Sequence, residues 1–204
     1  VIAGVMSGSS LDGIDVCVVR FESVDKFAVL HHTLIPYPDR WVDALKNFSQ
    51  HTGEEYIRFT FDYSYFLAHA LSNYINNISF DIDYISSHGH TLVHHPERGY
   101  TVQIGHGGVL STITGIPTIS DFRVSDMVYG GHGTPLAPTA DRYLFRGFDY
   151  YLNLGGIANI TEIQEDIVSA YDICPLNQVI NHYSALKGFS YDKGGRMASQ
   201  GRLV

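Results

Sequence analysis

The chain has 204 residues, 45% of them apolar, and a formal net charge of −8. That is enough apolar sequence for a substantial core in one domain, or in one domain and part of another, and it excludes a wholly disordered chain. The acidic balance excludes a general electrostatic attraction to nucleic acid or to an anionic membrane, so any phosphate site has to be local. Cys17 and Cys174 lie far apart within apolar sequence and read as reduced core thiols rather than as a disulfide. No run approaches the ~20 apolar residues of a membrane span, and the first residues lack the basic region of a signal peptide, so the sequence reads as cytoplasmic. Val1 is not a natural start and Val204 ends abruptly after a glycine turn, so the expectation is a chain incomplete at both ends.

The first element is a hairpin. Residues 4–15, GVMSGSSLDGID, pass from a short apolar strand through a turn of glycines and serines and into an alternating apolar strand at Ile14. Gly8 and Gly13 allow close backbone approach to an anion, Ser7, Ser9 and Ser10 supply hydroxyl donors, and Asp12 or Asp15 is suited to hold Mg²⁺ directly or through water. The same composition also suits a plain turn. It is not a Walker A loop, because no GK[ST] follows, nor a dinucleotide fingerprint, because a strand and not a helix comes next.

The stretches VIAGVM, IDVCVVRFE and KFAVLHHTLIPY, separated by SGSSLDG and SVD, predict an antiparallel meander. Residues 41–50 and 54–78 have helical spacing. In the second, Tyr56, Phe59, Tyr63, Phe66, Leu67, Ala70, Leu71 and Tyr74 form a stripe that reads as core packing. Next come a strand at DIDYIS, a hairpin-like pair around TLVHH and TVQIG, a helix over 108–114 and a strand at IPTISDF. This order predicts an α/β fold, a mixed sheet covered by helices.

Three segments of this half carry candidate chemistry. SHGHTLVHH holds His88, His90, His94 and His95, which suggests either a metal site or hydrogen-bonding histidines at a substrate cleft. Strand alternation puts His88 and His90 on one face, and the carboxylate of an HxHxDH-type motif is absent. DFRVSD, where a strand gives way to a loop, offers Arg123 as a bidentate clamp for a carboxylate or phosphate, with Asp121 or Asp126 to orient it; an ion pair at a loop start is the alternative. GGHGTPLAP is a glycine- and proline-rich loop suited to close approach to a ligand.

The second half opens with YYLNLGGIANITEIQ, a strand, a glycine turn and a strand, repeating the layout of the N-terminal hairpin and suggesting two related halves. VSAYDI reads as a strand and PLNQVINHYSALKG as a helix, with Pro175 at its first position and Gly188 as its stop. Asp172, at the strand end before that helix, suits either a general base or a helix cap. The division expected is a domain over 1–148 and the beginning of a second over 149–204.

Taken in order, GVMSGSSLDGID, SHGHT, QIG, DFRVSD, GGHGTPLAP, NLGGIANIT, YDICPLN and YDKGGRMASQG resemble the 1,6-anhydro-N-acetylmuramic acid kinases, the peptidoglycan-recycling branch of the sugar kinase and actin superfamily. The resemblance implies an actin-like ATPase (ribonuclease H-like) domain and the start of a second similar one. It implies ATP and Mg²⁺ as cofactors, with Gly8, Ser9, Ser10, Leu11, Asp12, Gly13, Ile14 and Asp15 as the first phosphate-binding hairpin and Asp12 near the metal. Gly155, Gly156 and Asn159 form the second hairpin, across an interdomain cleft. Asp172 matches the catalytic aspartate, while His88, Arg123 and Gly131 lie towards the sugar. The implied reaction is hydrolytic opening of the 1,6-anhydro bond with phosphorylation of O6, giving N-acetylmuramic acid 6-phosphate and ADP; a homodimer is implied by resemblance alone.

Three departures stand out. DICPLN replaces the common DTGPGN, a form typical of a Bacteroidetes-like subset. His106 stands where the family often has the aspartate of QIGD, and His132 and Thr134 replace residues of GGQGAP, all read as sugar-side loops. The family's C-terminal adenosine-binding segment is missing, so the 204-residue chain by itself is expected to be inactive. The alternatives are a kinase of the same fold for another sugar, a non-catalytic truncated remnant, and a metal-dependent hydrolase built on the histidines.

Overall fold

A computed structural model describes residues 1–8, 10–133, 136–145, 147–165 and 167–202. The chain divides into two compact units, Val1–Thr134 and Pro135–Val204.

The first unit begins with the antiparallel meander expected from its apolar runs: β1 (Ile2–Ser7), β2 (Gly13–Ser23) and β3 (Lys26–Pro36). The register sets Ala3 opposite Val18, Val5 opposite Val16 and Ser7 opposite Ile14, and all six side chains are buried. Strand alternation thereby delivers one face of the sheet to the core. After β3 come α1 (Asp39–Lys46), a single 3₁₀ turn at Phe48–Gln50, and α2 (Gly53–Asn76). The second helix starts at a capping box, where Thr52 N–H donates to Glu55 Oε2 at 3.0 Å. That bond satisfies an amide which the helix itself leaves without a partner.

The predicted stripe lies inward: Phe59, Tyr63, Leu67 and Leu71 are buried, with Phe66, Ala70 and Tyr74 packed at the margin. Burying each such leucine contributes roughly 2 kcal/mol. α2 returns the chain to β4 (Tyr84–His95), which runs parallel to β1. β5 (Tyr100–Ile104) pairs antiparallel with the later part of β4, and β6 (Thr118–Ile119) lies beside its start. The strand order is β3-β2-β1-β4-β5, a mixed sheet flanked by α1, α2 and α3 (Gly107–Thr114).

Two predicted strands change. DIDYIS and TLVHH belong to one strand, because a bulge at His88–Gly89, with Gly89 at φ 72°, lets β4 continue past its pairing with β1. IPTISDF shrinks to the two residues of β6. Asp121 turns the chain at φ 62°, its carboxylate held by Ser120 Oγ at 2.7 Å, and Phe122 already opens α4 (Phe122–Val128). DFRVSD is therefore helical, not the start of a loop.

The second unit contains α5 (Ala137–Tyr143), β7 (Tyr150–Leu154), β8 (Ile157–Gln164), β9 (Ile167–Pro175) and α6 (Asn177–Ala185). The three strands form an antiparallel sheet in the order β7-β8-β9, and α5 packs on β8. Pro175 does not open α6; it closes β9 opposite Ile157, and the helix begins two residues later. Gly188 does stop the helix, at φ 81° with its N–H on Ala185 O at 2.9 Å. Cys174, read from sequence as a core thiol, is exposed, and Cys17 is half-buried; both are free. Tyr171, Asp172, Ile173 and Cys174 are exposed in succession, so neither face of β9 is covered there. Among the described residues, no helix is long and apolar enough to cross a membrane.

Candidate functional site

The N-terminal turn is anchored from below by a buried polar chain. Ser7, the last residue of β1, hydrogen-bonds through Oγ to Tyr37 Oη and, at 2.8 Å, to Nδ1 of His90. Tyr37 Oη lies 2.6 Å from Tyr63 Oη, and all four side chains are buried. Burial, reinforced by the neighbouring His88, pushes the His90 imidazole down to about 4, so the ring is neutral near pH 7. With Nδ1 as acceptor, one direction of donation satisfies every hydroxyl, from Tyr63 to Tyr37 to Ser7 to His90.

Above this anchor the chain turns through Leu11, which is left-handed at φ 56° and donates its N–H to Gly8 O at 3.3 Å. Ser10 Oγ donates to Asp12 Oδ1. A side chain at Gly13 would collide with the carbonyl oxygen of Ile35 on β3, so only glycine fits. Burial and then the charge of Asp12 raise the pKa of Asp15. Two oxygen donors that repel each other in this way suit a hard divalent cation. The side chain of Ile14 is fully buried in the core and Leu11 packs against that core, while the Ile14 backbone is part of β2, in register with Ser7 on one side and Ile35 on the other. Ser9, expected in this hairpin, lies outside the described residues.

The second glycine turn joins β7 to β8 at Gly155 and Gly156, with Asn153 opposite Asn159. Asp172 of β9 stands in register with Asn159 on the other side of β8. The continuation of β9 grips the turn. Leu176 and Gln178 N–H donate to Gly156 O at 2.9 and 3.2 Å, and Asn177 N–H donates to Gly155 O at 3.2 Å. Asn177 Nδ2 adds a bond to Leu154 O at 3.1 Å. The glycine turn thus takes up amides that the first turn of α6 would otherwise leave unpaired, and it joins the Asp172 strand rigidly to the hairpin.

His88 and His90 do not act together, because the bulge adds a residue between them and breaks the alternation. His88 Nδ1 is 3.0 Å from Gly89 O, and its Nε2 accepts from Arg123 Nε–H at 2.8 Å. Burial, and to a lesser degree the Arg123 charge, lowers the His88 pKa, which preserves the acceptor. Arg123 is therefore oriented by a histidine and not by the aspartates that its sequence neighbourhood suggests. Asp121 is held by Ser120, while Asp126 accepts from Gly133 N–H at 2.7 Å. Gly131 N–H donates to Asp126 O at 2.9 Å, and Gly133, at φ 67°, lies against the backbone of Arg123. The result is a glycine loop folded against α4 at the backbone of Arg123, whose guanidinium forms no ion pair among the described residues.

His106, read as a sugar-side residue, is the N-cap of α3, accepting from Gly108 N–H at 3.1 Å and stacked on Phe61. Among the described residues, no three His, Cys, Asp or Glu side chains converge as a metal site. Sequence reasoning missed Tyr37 and Asn177. Tyr37 had a visible signal in its position between Pro36 and Pro38 directly after a strand, and Asn177 in its place at a helix start.

A family model described as anhydro-N-acetylmuramic acid kinase matches residues 1–204. Curated relatives bear the same description. One from Aliivibrio fischeri is 37% identical over 215 residues, covering 98% of this chain and 58% of the relative. One from Agrobacterium fabrum is 36% identical over 231 residues, covering 98% and 60%. A third, from Pseudomonas syringae pv. tomato, is 33% identical over 211 residues, covering 98% and 57%. The chain thus spans a little over half the length of the curated relatives it matches.

Proposed function

The chain belongs to the anhydro-N-acetylmuramic acid kinase family, and from that premise we propose that its protein opens 1,6-anhydro-N-acetylmuramic acid with water and phosphorylates O6 at the expense of ATP. In this reading both units share the actin-like ATPase design. Asp172 accepts a proton from a water molecule as that water attacks the anomeric carbon. The C1–O6 bond breaks, and the freed O6 attacks the γ-phosphorus of ATP, releasing ADP. Water needs the base because it is a poor nucleophile when neutral, whereas phosphoryl transfer chiefly needs positioned donors and neutralised charge.

The observation that carries the reading is the rigid joining of Asp172 to a glycine turn: the strand bearing the carboxylate runs into the amides that bind Gly155 and Gly156. A base and a phosphate-binding turn held in one piece meet the positional demands of the coupled reaction. Backbone amides of residues 8–13 would receive phosphate oxygens, and Asp12 with Asp15 supplies the oxygen donors that Mg²⁺ requires. When bound, Mg²⁺ would neutralise phosphate charge. Arg123, its Nε committed to His88, keeps its terminal nitrogens for the carboxylate of the sugar acid, with the Gly131 loop beside it.

The test is mass spectrometry of the full-length protein incubated with Mg-ATP and 1,6-anhydro-N-acetylmuramic acid, with Asp172→Asn alongside. A product heavier by one water and one phosphoryl group, absent from the variant, is expected. A folded full-length protein that makes no such product refutes the assignment.

A further inference from the structure

Tyr37 touches the N-terminal turn twice. Its backbone N–H donates to Asp12 O at 3.2 Å, and its hydroxyl bonds Ser7 Oγ. Ser7 and Asp12 bracket the turn, so one residue at the end of β3 holds both of its ends. Its own conformation is restricted from both sides. Pro36 closes β3 opposite Gly13, Pro38 is the N-cap of α1, and a residue before proline is confined to extended backbone. The ring is wedged against Phe66 and Tyr63, with centroids 5.9 and 6.4 Å away. The hydroxyl is fixed in turn by Tyr63, which is wholly buried on α2.

From this geometry we infer that Tyr37 is a positioning residue for nucleotide phosphate: it sets the separation of Ser7 and Asp12, and so presents the amides of the turn in the arrangement that a phosphate accepts. This rests on the proposed kinase reading, in which residues 8–13 bind ATP. A buried tyrosine that served the core alone would need no bond to either end of the turn. Tyr37 has a bond to each, one from its backbone and one from its hydroxyl. Removing only the hydroxyl leaves the ring packing and the Asp12 bond, while Ser7 loses one of its two side-chain partners and keeps only His90. The polar chain is then cut between Tyr63 and Ser7.

The experiment uses the full-length protein and Tyr37→Phe, with Tyr63→Phe as a milder break in the same chain and Leu45→Ala as a control. Leu45 is buried on α1 in the same core and has no bond to the turn. Two readouts are taken: hydrogen exchange of the amides of residues 8–12, and affinity for Mg-ADP by titration calorimetry, without sugar. For Tyr37→Phe, exchange in the turn should rise selectively and Kd should increase roughly five- to tenfold, as expected for loss of one buried hydrogen bond. Tyr63→Phe should give a smaller change in the same direction, and Leu45→Ala should lower the melting temperature with Kd unchanged. Unchanged exchange in the turn, or raised exchange with unchanged Kd, overturns the inference. An equal loss of affinity in Leu45→Ala assigns the effect to general stability and also overturns it. Wild-type protein that binds no Mg-ADP overturns the kinase reading itself, and the inference falls with it.

Discussion

The neutral state of His90 makes the stability of the first unit depend on pH in a way that can be measured. In the unfolded chain the imidazole has its ordinary value near 6.5, and in the fold it is lowered to about 4. Between these values the unfolded state binds the proton and the native state does not, so acid favours unfolding. Stability is full above pH 6.5 and is lost progressively as the pH falls towards 4. Each pH unit in that window costs up to ~1.4 kcal/mol, so the whole window removes about 3 kcal/mol. The cause is specific. A protonated ring would present N–H at Nδ1 to Ser7, reverse the donation along Tyr37 and leave a buried hydroxyl hydrogen on Tyr63 without an acceptor. The titratable groups around His90 are His88, Tyr37 and Tyr63, and neither tyrosine ionises in this range. Urea unfolding of the full-length protein at several pH values, for wild type and His90→Gln, isolates the contribution. Glutamine retains an acceptor for Ser7 and has no proton to gain. The difference between the two should shrink or reverse by about 3 kcal/mol from pH 7 to pH 4, and the His90 ring should titrate near 4 by NMR. Parallel pH dependences, or a ring that titrates near 6.5, would refute the reasoning.

Gly13→Ala places a methyl group against the Ile35 carbonyl, a backbone atom that cannot rotate away, and should cost about 3 kcal/mol, measured by thermal unfolding. Leu67→Ala empties a fully buried site between α2 and the sheet and should cost about 2–5 kcal/mol by urea unfolding. Gly131→Ala drives a methyl group into the Asp126 carboxylate that binds Gly133 N–H; steady-state kinetics should show a higher KM for the anhydro-sugar with the KM for ATP unchanged. Arg123→Lys keeps the charge but loses the Nε–H that His88 accepts, so the KM for the sugar should rise roughly tenfold.

The elements whose burial follows from their own periodicity were legible in the chain. The meander β1–β3, the stripe on α2 and the hairpin β7–β8 all alternate or repeat cleanly, and each folds as its pattern predicts. Local chemistry was harder to read where backbone conformation breaks a pattern. His88 and His90 look like neighbours on one face until the Gly89 bulge separates them. Arg123 looks like the partner of Asp121 and Asp126, but the left-handed Asp121 starts a helix whose position brings Arg123 to His88 on a strand 35 residues away. Side-chain hydroxyls are a third case. Tyr63 fits an apolar stripe by spacing, and nothing in that spacing reveals that its oxygen begins a chain running through Tyr37 and Ser7 to His90.

The two glycine turns are built from the same hairpin layout, and both are secured through their carbonyl oxygens, though by different partners. In the first unit the support comes from outside the hairpin's own loop, through the Tyr37 hydroxyl and a bond to Asp12 O, so the turn's remaining amides are not used up by its anchor. In the second, the carbonyls of Gly155 and Gly156 are occupied by amides of Leu176, Asn177 and Gln178. An acceptor-rich ligand such as phosphate needs donors, and neither mode of anchoring consumes the donors of the turn. The second mode does consume the amides at the start of α6, so that helix end is not available as a further anion site. In the kinase reading proposed above, phosphate binding in the second unit would accordingly depend on the amides of residues 155–157 and on Asn159. Substituting Asn177, which ties α6 to Leu154 O, should loosen turn and Asp172 together. Asn177→Ala is therefore expected to raise hydrogen exchange at residues 155–157 and to lower kcat in the same variant. Loss of kcat without increased exchange would show that Asn177 acts by another route.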